Sequence, residues 1–242
     1  MKDDIIIHPS RGVREKTIPS CGIIFVNPTE ARGALQTLID CGGEQRFLFH
    51  SGLVVSPDND FFVAGPAVGA PMAAMVLEKL ITLGASKVVM SGWCGAISSD
   101  LHVGDTVLGG DGYSGEGTSQ YYTNSDVCQP SLQLLVALQS VFELKRSTSL
   151  WSTDAPFRES RKMLQALAER YTIGAVDMEY SALCAVAAFR EIDFASLFLV
   201  SDELWQDDWR PGFGGKVFKR KSKAQIKQLI QHIVSLSNFE EA

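Results

Sequence analysis

Basic residues are in the minority: 22 lysines and arginines face 28 aspartates and glutamates, for a net charge of −6. Nucleic acid and anionic membrane surfaces both need a broad basic field, so neither is an expected partner. The five cysteines (Cys21, Cys41, Cys94, Cys128 and Cys184) are odd in number and form no CxxC pair. That pattern disfavours a zinc cage and a disulfide framework, so no metal is expected and a reducing, cytoplasmic setting is. No apolar run reaches the length of a bilayer, and the opening MKDDIIIHPS lacks the basic start and long apolar core of a signal peptide. Internal repeats and low-complexity tracts are missing as well, so residues 1–242 are expected to form one domain.

What is present is an ordinary globular balance, 45% hydrophobic and 21% charged. Short apolar, β-branched runs alternate with helical periodicity. Cys21–Val26 reads as a strand ending at Asn27-Pro28-Thr29-Glu30, which resembles a capping box, with a helix following to Asp40. Arg46–Val55 and Asp60–Ala64 read as strands, and Pro71 opens a helix that Gly84 stops. Further strands are predicted over Lys87–Ser91, Thr106–Leu108, Thr148–Trp151, Ala175–Asp177 and Ala195–Val200. Helices are predicted over Leu132–Phe142, Arg161–Arg170, Glu179–Arg190 and Lys219–Leu236. This order implies an α/β fold with a mostly parallel or mixed sheet covered on both faces. Ligands of such sheets collect beyond the carboxyl ends of the strands.

Four clusters fall at those ends. Gly65–Pro71 is a strand-to-helix turn whose glycines let backbone approach a ligand, or simply a tight turn with proline at a helix start. Ser91-Gly92-Trp93-Cys94-Gly95 offers exposed backbone N–H groups, or close packing. Val176-Asp177-Met178-Glu179 places carboxyls at the entrance of an apolar helix; they serve as capping charges or as acceptors for two adjacent sugar hydroxyls. Val200-Ser201-Asp202 puts an acid just past a strand end, as a cap or as a proton donor.

These clusters, with Val103-Gly104-Asp105, Glu116-Gly117-Thr118-Ser119 and Ser152-Thr153-Asp154, occur in an order that resembles the nucleoside phosphorylase and nucleosidase superfamily. The resemblance implies a three-layer α/β/α domain with a mixed, barrel-like central sheet, assembled as a homodimer or homohexamer. It implies cleavage of the N-glycosidic bond of a purine nucleoside or uridine, with no cofactor and with phosphate as co-substrate. It places the sugar on Met178 and Glu179, beside Asp177, Gly69, Gly92 and Trp93, and makes Asp202 the general acid. The Ser201-Asp202 pair leans toward a purine, and Phe157 is a displaced substitute for the family's base-stacking aromatic. His8 would reach a neighbouring subunit's ribose, Arg46 would serve phosphate, and Arg210 or Lys216 would support the acid.

The chain also departs from that pattern. Glu30 stands near the family's first phosphate arginine, and Met90 and Trp93 replace the second arginine and a hydroxyl. A glutamate there is expected to repel phosphate. Hydrolysis by water, and nucleoside binding without turnover, therefore stand beside phosphorolysis as readings. Retention of both Glu179 and Asp202 disfavours mere binding, which needs no proton donor.

Overall fold

The computed structural model describes residues 4–49, 51–145 and 147–237. The first strand, β1 (Cys21–Phe25), is followed by α1 (Pro28–Asp40), the hairpin β2 (Glu44–Leu48) and β3 (Ser51–Val55), then β4 (Phe62–Gly65) and α2 (Ala70–Leu83). Two ten-residue strands come next, β5 (Lys87–Ala96) and β6 (Thr106–Gly115), with a short β7 (Val127–Cys128) and α3 (Leu132–Phe142). The second half holds β8 (Ser147–Thr153), α4 (Arg161–Tyr171), β9 (Ile173–Asp177), α5 (Tyr180–Phe189), β10 (Asp193–Glu203), β11 (Arg210–Pro211) and α6 (Lys216–Ser237).

All eleven strands join one mixed sheet. Its spine is β5, which pairs in parallel with β1 and β10 and, through Gly95 and Ala96, antiparallel with β9. Because β10 continues to β6, β8 and β9, five strands close on themselves into a barrel. The strands β1, β4, β3 and β2 extend the sheet from its side. The resemblance implied this mixed, barrel-like sheet, and the structure has it.

The two-residue side-chain period of a strand assigns the two faces. On β1, Ile24 packs with residues of α2 and α5, such as Leu80 and Leu183. Cys21, Ile23 and Phe25 pack instead with Ala34 of α1, Leu138 of α3 and Leu229 of α6. Helices therefore cover both faces, giving the three layers. Helix α5 is buried at eight of its ten residues, as a helix apolar all round must be.

Two sequence expectations change. The run Arg46–Val55 is a hairpin rather than one strand, reversing at Phe49, which has a left-handed φ of 39°. The strand expected over Lys87–Ser91 runs on through the glycine cluster to Ala96. The Gly92–Gly95 backbone is thus ladder-paired to β10, not an exposed set of amides. A Cβ at Gly92 would lie 2.7 Å from Val26 Cγ2, so close packing is what this glycine serves. Gly65 is required for a similar reason: its φ is 142°, and a Cβ there would meet the Phe25 carbonyl oxygen at 2.2 Å.

Candidate active site

The carboxyl ends of β1, β5, β9 and β10 open into a cavity of about 520 Å³. Val26, Val68, Trp93, Met178 and Glu179 are among its lining residues. So are Phe157, Glu159, Asp202, Leu204 and Trp209.

In the lining from β9 and α5, the cap of α5 organises two carboxyls. Asp177 Oδ2 accepts the backbone N–H groups of Glu179 (3.0 Å) and Tyr180 (2.7 Å), and Oδ1 accepts the Ser152 hydroxyl at 2.5 Å. Asp177 therefore caps the helix, although it also lines the cavity. Glu179 is turned the other way, its Oε1 accepting the Gly69 N–H at 2.6 Å. Gly69 can offer that N–H because its φ of 81° suits glycine, and Pro71 follows at the start of α2. Burial, and then the charge of Asp177, raise the Glu179 carboxyl above the usual range. Burial is also the main cause of a raised Asp177. Glu116, from the Glu116–Ser119 stretch, accepts the Ser181 hydroxyl at 2.9 Å and so ties its loop to α5.

The capping role makes a prediction. Asp177→Ala strands two buried N–H donors, so its unfolding free energy in a denaturant titration should fall by about 1–3 kcal/mol. Asp177→Asn keeps an acceptor and should stay closer to the parent. An alanine variant as stable as the parent would show that the cap contributes nothing.

Asp202, another lining residue, lies within β10, where the pairing with β5 shifts between Val200 and Asp202. This bulge leaves Ser201 unpaired, and its hydroxyl sits 2.5 Å from Asp202 Oδ1 and 3.2 Å from the Cys94 carbonyl. Asp202 Oδ2 accepts the Trp209 indole N–H at 2.8 Å. Arg210, expected to support the acid, instead lies 3.5 Å from the buried Glu203, and Lys216 begins α6. Glu203 also accepts the Val103 N–H and the Gln206 amide, anchoring the loop that carries Trp209. A Cβ at Gly95 would stand 3.3 Å from Asp202 Oδ2 and 2.9 Å from Leu204 Cδ1, so this glycine leaves room for the acid.

Trp209 and Glu159 were not singled out from sequence. Trp209 lies in an irregular loop with no periodicity. Glu159 sits two residues after Phe157, in the short turn before α4. Burial, and then the charge of Asp202, push the Glu159 carboxyl up to about 7. Phe157 itself is 98% exposed at the cavity rim.

The remaining expected residues lie elsewhere. His8 is exposed on the amino-terminal segment and Arg46 donates to the Thr17 carbonyl (2.6 Å) and to Glu44 (2.8 Å); neither lines the cavity. Gly92 is likewise behind its wall. Glu30 differs from the expectation of a charge facing phosphate: it is buried, and Oε1 accepts the Ser222 hydroxyl of α6 at 2.6 Å. Its other oxygen and the Trp93 indole N–H are near neighbours but short of hydrogen-bond geometry, and burial raises its carboxyl. Trp93 stacks on Phe213 (centroids 6.1 Å apart) and meets Phe218 edge-on. Among the described residues no cluster of three or more His, Cys, Asp or Glu could hold a metal ion, and no helix is long and apolar enough to cross a membrane.

Known proteins share this fold. The chain is 23% identical to a DeoD-type purine nucleoside phosphorylase of Buchnera aphidicola over 208 residues, 83% of this chain and 82% of that protein. The purine nucleoside phosphorylase of Toxoplasma gondii, solved with immucillin-H, superposes with a TM-score of 0.78 at 18% identity, covering 91% and 92% of the two chains. The 5'-methylthioadenosine/S-adenosyl homocysteine nucleosidase of Campylobacter jejuni does so at 0.74 and 15% identity, covering 92% and 99%. Both phosphorylases and nucleosidases thus have this fold. The family model described as the phosphorylase superfamily matches residues 21–234, which takes in the strands, the capped helix and every wall of the cavity, and the chain belongs to that superfamily.

Proposed function

We propose that the cavity binds a purine ribonucleoside and splits its N-glycosidic bond with water as the acceptor. The observation that carries this reading is that the walls offer an anion carboxyls and one guanidinium already engaged by backbone carbonyls. Four carboxyls line the cavity, those of Glu159, Asp177, Glu179 and Asp202. Among the described residues the one cation there is Arg161, and its guanidinium is given to the carbonyls of Gln206 and Asp207. Phosphate is an anion that must exchange strong hydration for fixed donors, so a carboxyl-rich wall disfavours it.

The same wall suits a dissociative cleavage. As the bond lengthens, positive charge grows on the ribose and negative charge on the base. Carboxylates beside the sugar stabilise the first, and a proton delivered to the base handles the second. Glu179 would accept the 2′ and 3′ hydroxyls in place of Gly69, with Met178 against the sugar. The base would lie between Phe157 and Asp202. A weak nucleophile such as water suffices once the ribose carries positive charge.

Phosphorolysis, the outcome the resemblance implies, would need a cation from another subunit, and Arg46 is already held by Thr17 and Glu44. Purine ribonucleosides should therefore release free ribose at a rate independent of phosphate. Assaying ribose against ribose 1-phosphate across a phosphate titration checks this. Saturable, phosphate-dependent formation of ribose 1-phosphate would replace hydrolysis with phosphorolysis.

A further inference from the structure

Asp202 is served by two donors of different kind. Its Oδ1 lies 2.5 Å from the Ser201 hydroxyl, which has one hydrogen and two acceptors in reach, Oδ1 and the Cys94 carbonyl at 3.2 Å. That hydroxyl donates to an ionised Asp202, or turns to Cys94 and accepts from a protonated one, so it fits both forms. The other oxygen, Oδ2, accepts the Trp209 indole N–H at 2.8 Å. An indole N–H can only donate, and its bond to a carboxylate is stronger than its bond to a neutral acid. Ser201 thus suits either charge state, whereas Trp209 favours the ionised one.

Trp209 is held for this contact from several sides. Arg161 of α4 donates its guanidinium to the carbonyls of Gln206 and Asp207, the Gln206 amide donates to Glu203 at 2.9 Å, and the Trp205 indole N–H donates to the Leu101 carbonyl at 3.3 Å. The Trp209 ring lies 6.3 Å from that of Phe213, which in turn stacks on Trp93. Among the described residues Arg161 is the one cation lining the cavity, and it secures this segment instead of reaching Asp202. The other charged groups of the lining, Glu159, Asp177 and Glu179, are carboxyls, whose charges oppose an anion at Asp202. Stabilising that anion is left to the indole N–H and the Ser201 hydroxyl.

We infer that Trp209 is a positioning residue for proton delivery: its N–H fixes Oδ2 of Asp202 and tightens its hold as the proton leaves for the base. The inference rests on the N-ribosyl cleavage proposed above. In the step, the C1′–N bond breaks with its electron pair moving to the base, and the Asp202 proton passes to a base nitrogen. The carboxylate left behind takes the full Trp209 hydrogen bond. Water supplies the oxygen bonded to C1′, and the proton it loses reloads Asp202 through solvent in the open cavity. Because the indole bond is stronger after the transfer than before it, the part already gained in the transition state lowers the barrier. Trp209 itself exchanges no proton and serves through Asp202.

The test is a double-mutant cycle of Trp209→Phe and Asp202→Asn on two nucleosides, at about pH 5, where loading of an acid is favoured. Phenylalanine keeps an aromatic ring beside Phe213 and removes the N–H, and Trp209 is an exposed loop residue, so its replacement leaves the core filled. Inosine leaves as a base that needs a proton. 7-Methylguanosine already carries a positive charge on its base and leaves without one. Trp209→Phe should lower kcat on inosine about tenfold with KM nearly unchanged, and cost less than about threefold on 7-methylguanosine. In the Asp202→Asn background the same substitution should cost less than about threefold on inosine, because no proton is then delivered from this side chain. Parental or faster inosine turnover in Trp209→Phe, equal losses on both nucleosides, or a full tenfold loss in the Asp202→Asn background overturns the positioning role while leaving N-ribosyl cleavage standing. So does a parent that cleaves 7-methylguanosine and not inosine. A parent that turns over neither nucleoside overturns both.

Discussion

Replacing Glu179 by alanine is expected to lower kcat/KM for purine ribonucleosides by about 10²–10⁴-fold, because two hydrogen bonds to a carboxylate are lost at about 1.5–3 kcal/mol each. The carboxyl is well placed for this: it is buried, it lines the cavity, and it accepts the Gly69 backbone N–H, which incoming hydroxyls can replace. The loss should depend on the substrate. A 2′-deoxynucleoside already lacks one of the hydroxyls, so Glu179→Ala should cost it markedly less. Steady-state kinetics on the matched ribo and deoxyribo pair reads this difference. Equal losses on both would mean that Glu179 holds Gly69 and the start of α2 in place rather than the sugar.

The second large effect is expected at Asp202. Asp202→Asn should lower kcat on inosine by about 10²–10⁴-fold, the usual range for proton transfer to a leaving group, with KM nearly unchanged. The amide can still accept the Trp209 N–H, so the loop need not move, and the change is confined to charge and proton exchange. A base that leaves without a proton should be largely spared. A variant with parental turnover of inosine would remove Asp202 from the chemistry. A raised KM with intact kcat would make it a binding group only.

Much of the frame was legible before any coordinates. Alternation at two and at 3.6 residues located most strands and helices, because burial on one face imposes those periods on the residues themselves. The order of the short motifs pointed to the fold, and Val176-Asp177-Met178-Glu179 to a carboxyl pair at the entrance of a buried helix. The alternatives left open at that pair are now divided between its members. Asp177 caps the helix, while Glu179 faces the cavity.

Other matters depended on contacts between residues far apart in the chain. Paired glycines in Ser91–Gly95 carry a local signal for a turn, yet β10 on one side and β1 and then β9 on the other hold the segment as strand. Glu30 has a position that suggests an exposed charge at a helix start. Its partner is Ser222, 192 residues later, and that contact decides that the carboxyl is buried. Trp209 directly precedes Arg210, the first residue of β11, but Glu203 takes the arginine and Asp202 the tryptophan. Glu159 and Asp202 line one cavity because the turn before α4 and strand β10 both wall it. Sequence alone determined the alternation of strands and helices and the apolar helix with acids at its entrance, which follow from local periodicity, while the barrel-like sheet was implied by the resemblance that the ordered motifs carry. Only the tertiary structure decided which carboxyls share the cavity, which cation is diverted from it and which donors hold the acid, because those pairings are fixed by the closure of the sheet and not by spacing along the chain.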